Sequence, residues 1–276
     1  MSSAHPTPPA AEQAWKARAE AAEQRVLALE AELAALRVQL AKALTPPPPP
    51  PRHGSAQVVS PTECMSHSKL VALLRAGGAD VELAFDVCQY LRDNSNYDNS
   101  EEYLEAGAVE AVVDVLTVHA SVAHVAGKAC ETLGGLCGNV YPAMEASVAA
   151  GALPAIVAVL KSHVGEAYVA EHALWVLSML TDATSQATQA SLALGAVPAI
   201  VASLKAHASV EAVVYHACSA LAGFAGGTPA CRAACVDAGA VPLLAAAVSN
   251  YADNIRYCAH NCLDQLGYKD DGALKD

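Results

Sequence analysis

Ala150-Gly151-Ala152-Leu153-Pro154 is one of four copies of a short turn that decides the fold of this chain. The other copies begin at Ala106, Leu194 and Ala238, so glycine recurs every 44 residues, at positions 107, 151, 195 and 239. A fixed period of this length is typical of stacked-repeat proteins. Glycine permits a left-handed backbone, and the proline three residues later, present in three copies, suits the first turn of a helix. Each turn is therefore predicted to end one helix and to begin the next.

Each unit also carries the apolar spacing of two helices after the turn. In one unit an apolar run covers residues 155–160, and a second pattern at helical spacing consists of Val169, Ala173, Val176, Leu177 and Leu180. A shorter helical segment, such as residues 188–193, precedes each turn. Three helices per unit, the turn itself and the stretch Trp175-Val176-Leu177-Ser178 together resemble the armadillo repeat. The resemblance covers roughly residues 60–268 and implies an all-α, right-handed α-solenoid.

The remaining sequence divides into segments of different composition. Residues 1–10 are expected to be disordered, 11–44 to form a coiled-coil helix, 45–59 a proline-rich linker, 60–268 the repeat domain and 269–276 a disordered tail. The repeat domain is predicted to begin at the helix-capping sequence Ser60-Pro61-Thr62-Glu63. It should open with a truncated unit, made only of a second and a third helix, that caps the stack.

The coiled coil is predicted from a heptad pattern between residues 15 and 43. Apolar residues alternate in steps of four and three: Trp15, Ala19, Ala22, Val26, Leu29, Leu33, Leu36, Leu40 and Ala43. In a parallel dimer the flanking positions would pair Arg18 with Glu23, Arg25 with Glu30 and Glu32 with Arg37, each of opposite charge. The pattern favours a homodimer or a pairing with another chain. The alternative is a lone amphipathic helix that lies against the repeats.

Pro46–Pro51 form an uninterrupted run of six prolines. In the polyproline II conformation, at about 3.1 Å per residue, this run would be a stiff spacer of roughly 19 Å. The alternative is a ligand for a proline-binding domain, because such domains recognise the same conformation.

Charge and composition restrict the class of partner. Residues 1–52 hold six of the 16 basic and five of the 28 acidic residues, which leaves residues 53–276 with a net charge of −13. This charge argues against nucleic acid or an anionic membrane as the ligand and favours a protein partner, basic or apolar. The nine cysteines are an odd number, no signal peptide precedes them, and no uncharged stretch reaches the length of a membrane span. We therefore expect a cytoplasmic protein with free thiols.

No catalytic motif is recognisable, so the sequence predicts neither an enzyme nor a cofactor. His119, His163 and His207 recur just past the second helices, where they are expected to cap carbonyl groups at the helix end. Two cysteine pairs at helical spacing, at 231 and 235 and at 258 and 262, could supply zinc ligands. Because Cys130, Cys218 and Cys262 share the repeat spacing, we instead expect core thiols and no metal.

The armadillo resemblance implies that the third helices line a concave groove for a protein partner. The outward positions fall at i, i+4, i+7 and i+11 of each third helix. Fourteen side chains at these positions are candidates for contact with a partner, and we call them the groove stripe. They are Glu82, Asp86, Gln89, Asp93, His124, Lys128, Glu131, Tyr168, His172, Trp175, Met179, His216, Ser219 and Asn261. Trp175 is expected to be a binding anchor, an argument that would lose its support if the ring packed between repeats.

The sequence also departs from the family's peptide-binding pattern. The asparagines that hold a peptide backbone in importin-α-like members are replaced by Gly135, Met179 and Gly223, so a nuclear-import function is not expected. From Asp80 to Asp114 there are ten acidic residues and a single basic one, Arg92, which favours a basic partner near that end. We therefore expect a non-enzymatic scaffold or adaptor. The alternative is a structural component of a cytoskeletal or ciliary assembly that uses convex or end surfaces.

If residues 15–43 pair as a parallel coiled coil, the full chain should be a dimer and residues 53–276 alone a monomer, because the repeats carry no heptad seam. Size-exclusion chromatography with light scattering measures both masses. A monomeric full chain would contradict the coiled coil.

Overall fold

The computed structural model describes residues 66–95, 99–138 and 140–275. The predicted coiled coil, the proline run and the capping sequence at Ser60 lie outside these residues. The described part is built from helices and contains no β-strand, apart from one isolated bridge between Tyr268 and Leu274. The predicted all-α class is therefore confirmed for this part of the chain.

Fourteen helices follow one another in the described residues. They are α1 (His67–Gly77), α2 (Val81–Asn94), α3 (Ser100–Glu105), α4 (Ala108–Val118), α5 (Ala123–Cys137), α6 (Tyr141–Ala149), α7 (Ala152–Ser162), α8 (Ala167–Ala183), α9 (Ser185–Ala193), α10 (Ala196–Ala206), α11 (Glu211–Ala225), α12 (Pro229–Asp237), α13 (Ala240–Asn250) and α14 (Asp253–Leu266). Helices α3–α5, α6–α8, α9–α11 and α12–α14 form four three-helix units. Before them, α1 and α2 correspond to the second and third helices of a truncated unit.

The turn glycines adopt the backbone that the sequence predicts. Gly107, Gly151, Gly195 and Gly239 have φ between 76° and 88°, in the left-handed region. Each follows the single C-cap residue of a first helix and directly precedes a second helix. A side chain with a Cβ atom is disfavoured in this conformation. The four turns therefore set the same bend between first and second helices in every unit.

Helices of the same kind pack on one another from unit to unit. Among the described residues, the contacts of each third helix with the next, along α2, α5, α8, α11 and α14, are among the most extensive, and successive second helices also contact one another. Small and aliphatic side chains fill the space between them. Cys130, Cys218 and Cys262 are fully buried there, which confirms them as core residues.

The recurring histidines join neighbouring units instead of capping their own helices. In each case the ring Nε2–H donates to a backbone carbonyl of the preceding unit: His119 to Gly78 (2.5 Å), His163 to Ala120 (2.8 Å) and His207 to Val164 (2.8 Å). Tyr251, the next residue at this spacing, donates its hydroxyl to Ala208 O (2.7 Å). The sequence correctly placed these side chains at carbonyl groups near a helix end. It assigned them to the wrong helix, because bonds between units depend on the stacking geometry.

The C-terminal segment also differs from expectation. Residues 269–276 were expected to be disordered, but the described residues through 275 fold back onto the last unit. The Lys269 and Lys275 amides donate to Ala273 O (2.7 Å) and Gly267 O (2.9 Å), and Asp270 pairs with His260. Gly272 packs against the second helix α13, where a Cβ atom would lie 3.6 Å from Val241 and Ala245. The segment therefore covers apolar surface at the end of the stack.

Replacing Gly151 by alanine should lower the free energy of unfolding by about 1–2 kcal/mol, because φ is 88° there. No atom lies within 4 Å of the added methyl group, so the cost is conformational and not steric. Gly165→Ala is the matched control, since it also meets open space but has no left-handed backbone. Urea unfolding of both variants tests this, and equal stability of the two would contradict it.

Candidate protein-binding surface

The groove stripe lies on the solvent-accessible face of the third helices. Thirteen of its fourteen side chains are exposed or half-buried, whereas the residues that follow His124 and Lys128 in α5, Val125 and Ala129, are fully buried. The exception is Lys128, which is 9% exposed. Helical spacing therefore predicted the orientation of this face correctly at all but one position. Whether a partner binds there stays a prediction.

The acidic end of the stripe lies on α2. Glu82 and Asp93 are exposed, and Asp86 is half-buried one turn after Glu82. Burial, and secondly the charge of Glu82, raise the pKa of Asp86 above its ordinary value. The Gln89 side-chain amide donates to Asp93 (2.7 Å). Because a cation beside Asp86 would relieve the repulsion between these carboxylates, this end is suited to a basic group.

Glu131 organises the centre of the stripe. Its carboxylate accepts hydrogen bonds from Lys128 Nζ and from the Tyr168 hydroxyl, both at 2.6 Å, and lies 3.4 Å from Arg92 Nε. Burial alone would raise the pKa of Glu131, but the hydrogen bonds from Lys128 and Tyr168 together lower it below its ordinary value. The Lys128 ammonium group is therefore paired within the protein with Glu131, one helical turn away. It is not free to make an ion pair with a partner.

Two aromatic rings of α8 rest directly on glycines of α5. A Cβ atom at Gly127 would lie 2.7 Å from the Tyr168 ring, and one at Gly134 would lie 2.6 Å from the Trp175 ring. The two glycines are seven residues apart, and so are the two rings, so both rings pack at equivalent positions on one face of α5. Glycine inside a helix costs about 1 kcal/mol relative to alanine. The two glycines are therefore best explained by the rings that they accommodate.

Trp175 is consequently shared between packing and exposure. Its ring is half-buried because it fills the space above Gly134 of the preceding unit. The ring therefore packs between repeats, and its place on the groove stripe no longer supports a binding anchor by itself. Binding by Trp175 stays a prediction. The position of the Trp175 ring depends on the neighbouring helix α5, where Gly134 has no side chain and leaves room for the ring.

Histidines continue the ring contacts on both sides of Trp175. The His172 ring lies 4.6 Å from Tyr168 and 6.2 Å from Trp175, and His216 of α11 lies 6.2 Å from Trp175, between ring centroids. Burial lowers the pKa of His172, and burial together with His172 lowers that of His216 to about 4. Both rings are therefore uncharged at neutral pH.

The rest of the stripe is less organised. Met179, Ser219 and Asn261 are half-buried and make no ring contact or ion pair with the described residues. Asp182 is exposed but its carboxylate lies against α11, where a Cβ atom at Gly223 would be 2.9 Å away. The structure does not bring these residues into one cluster with Trp175.

Sequence reasoning missed Phe85 and Arg92 on α2. The Phe85 ring lies 5.7 Å from His124, and Lys128 Nζ lies 5.8 Å from Phe85 and 5.7 Å from Tyr168, measured to the ring centroids. The two missed residues follow Glu82 by three and ten positions, just beside the i, i+4, i+7 stripe. A wider stripe that included these positions would have found them.

No described group of three or more His, Cys, Asp or Glu side chains is arranged to hold a metal ion. Among the described helices none is by itself long and apolar enough to cross a membrane. Three pairs of consecutive helices, bent by 77–78° at the glycine turn, reach that length and composition only when each pair is taken together.

Gly134→Ala should destabilise the protein, because the added methyl group overlaps the Trp175 ring. Overpacking costs about 1–3 kcal/mol, against about 1 kcal/mol that alanine gains in a helix. Gly135→Ala is the control, since its methyl group would lie no closer than 3.3 Å to any neighbour, the nearest being the flexible Arg92 side chain and the Ser95 hydroxyl. Urea unfolding gives the stability, and Trp175 fluorescence in a Trp15→Phe background reports the ring. Equal stability and equal Trp175 fluorescence in the two variants would contradict the packing of the Trp175 ring on Gly134.

The sequence matches no model of a known protein family and no curated protein sequence. Solved structures do match the fold. One is a designed armadillo repeat protein in complex with the peptide (KR)4, with a TM-score of 0.60, 23% identity, and coverage of 72% of this chain and 81% of that one.

Two further structures of larger proteins agree. An engineered protein from a structural genomics consortium has a TM-score of 0.63 at 24% identity over 74% of this chain, which spans about half (48%) of that protein. A structure from work on a phosphorylation switch that controls the interaction between cadherin and beta-catenin has a TM-score of 0.65 at 17% identity and covers 73% of this chain and 39% of that one. At these identities the matches establish the fold. The chain described here has an armadillo-type fold.

Proposed function

We propose that this chain is a non-enzymatic scaffold that binds a protein partner along its third helices. The observation that carries the proposal is the groove stripe itself. A continuous row of polar and aromatic side chains remains accessible along α2, α5, α8 and α11, while the side chains between them form the core. A face of this kind provides many contact points for an extended segment of another protein.

The partner is proposed to be basic where it meets α2. Glu82, Asp86 and Asp93 lie there, and repulsion from Glu82 helps to raise the pKa of Asp86. A lysine or arginine side chain would be attracted by these carboxylates and would remove that repulsion. The designed armadillo protein with a similar fold was solved with the basic peptide (KR)4, which supports basic peptides as a compatible ligand class.

The scaffold is further proposed to act in the cytoplasm as a homodimer through residues 15–43. Opposite charges at the flanking heptad positions support the pairing of two copies in parallel. Dimerisation would present two binding faces to a partner and would raise its effective affinity. Pro46–Pro51 would separate the two repeat domains or bind a proline-recognising domain.

One observation favours the alternative, a structural component that uses another face. A cavity of about 280 Å³ opens between the first helices α6 and α9, and of the third helices only the end of α8, at Ala183, contributes to its lining. Met144, Val148 and Ala187 contribute to its apolar lining. If this cavity were the main contact site, Met144→Glu would abolish partner capture and changes in the groove stripe would not.

Charge reversal of the pair Glu82 and Asp86 to lysine should weaken binding of a (Lys-Arg)4 peptide about tenfold or more, because attraction becomes repulsion. Calorimetric titration of the full chain at low salt measures the change. The control reverses Glu101 and Glu105 of α3, which alters the net charge equally but lies on a first helix. We expect that control to weaken binding less than about threefold. Equal losses in the two variants, or no binding by the wild type, would contradict the groove.

A further inference from the structure

Rings from four successive units of the described chain lie along the third helices in two groups of contacts. We call them together the ring track: Phe85 and His124 form one group, and Tyr168, His172, Trp175 and His216 form the other. Lys128 joins its two halves, since its ammonium group lies 5.8 Å from Phe85 and 5.7 Å from Tyr168.

The part of the ring track on α8 and α11 carries no net charge. His172 and His216 are neutral at physiological pH because burial lowers the pKa of each. The charged groups that influence His172 are two acids and two bases, Glu131, Glu171, Lys128 and Arg92. An occupant of this part is therefore selected by apolar and stacking contacts and not by charge. This distinguishes it from the acidic face of α2.

The rings are also fixed in place before any ligand binds. Gly127 and Gly134 seat the Tyr168 and Trp175 rings, and the Tyr168 hydroxyl is held by Glu131 at 2.6 Å. The Trp175 indole N–H makes no hydrogen bond to the described residues and is available as a donor. Rigid aromatic rings with a free donor suit a ligand that presents apolar rings and unpaired carbonyl oxygens. A polyproline II helix has both, because it forms no internal hydrogen bonds.

We propose that the ring track binds a proline-rich segment of a partner protein in the polyproline II conformation, with a lysine or arginine at the end that reaches the acidic face of α2. Attraction by the carboxylates of Glu82 and Asp86 would place the basic end of the segment at α2. The inference rests on the proposed function, since it specifies the partner of the same face.

The dimensions define a suitable probe. Neighbouring helices pack 8–10 Å apart, so the three intervals from α2 to α11 span about 24–30 Å. At about 3.1 Å per residue, a polyproline II segment needs about eight to ten residues to cover this distance. The probe is therefore a peptide of about ten residues, Lys-Arg followed by prolines, and its matched control replaces the prolines by alternating glycine and serine.

Calorimetric titration of the full chain with both peptides tests the proposal. We expect the proline peptide to bind about tenfold more tightly than the glycine-serine peptide, which has the same charge. Repeating the titration with serine in place of Pro46–Pro51 removes competition from the chain's own prolines. Equal affinities for the two peptides in that variant would overturn the ring track as a proline site. Loss of (Lys-Arg)4 binding as well would instead overturn the proposed groove.

Single variants locate the site. Tyr168→Ala and Trp175→Ala should each reduce affinity for the proline peptide about tenfold, yet leave (Lys-Arg)4 binding within about threefold. Tyr168→Phe keeps the ring and should retain proline binding even if the alanine variants prove unstable. Tyr257→Ala is the control, because this tyrosine is 70% exposed on α14 outside the ring track. An unchanged affinity in folded Tyr168→Ala and Trp175→Ala proteins, or an equal loss in Tyr257→Ala, would overturn the assignment.

Discussion

The left-handed glycine between first and second helices is the constraint on which the rest of the structure depends. Gly107, Gly151, Gly195 and Gly239 give every unit the same bend, so the second and third helices of successive units meet in register. Register in turn allows bonds that repeat from unit to unit, such as those of His163 and His207 to carbonyls of the preceding unit. A solenoid needs this regularity, because each unit buries its apolar faces only against its neighbours.

The third-helix face that carries the groove stripe is where this regularity is modified. Tyr168 and Trp175 are large and rest on Gly127 and Gly134, whereas the positions 44 residues later are Ala212 and Ser219, facing Glu171 and Ser178 in the same register. The pairing of a glycine with a large ring is therefore not repeated at the next interface. It keeps helices α5 and α8 close, since the ring volume is offset by the missing side chain of each glycine. It also leaves two rigid rings partly open to solvent.

Charge and aromatic character are separated along the same face. The carboxylates of Glu82, Asp86 and Asp93 lie on α2, while the centre is neutralised by the contacts of Lys128 and Arg92 with Glu131. Neutral histidines then surround Trp175. A partner that follows the third helices would therefore meet an electrostatic contact at one end and stacking contacts beyond it. Such a division supplies both attraction at long range and selection at short range.

The sequence by itself determined the repeat, its three helices, the conformation of the turn glycines and the orientation of the groove stripe. These follow from local rules, namely the 44-residue period, the helical spacing and the steric freedom of glycine. Tertiary structure decided which atoms meet. It buried Lys128 beside Glu131, placed Trp175 on Gly134, brought Phe85 and Arg92 onto the face and directed His119 to the preceding unit. Contacts between residues about 40 positions apart depend on how the helices stack, and no spacing within a single helix encodes that distance.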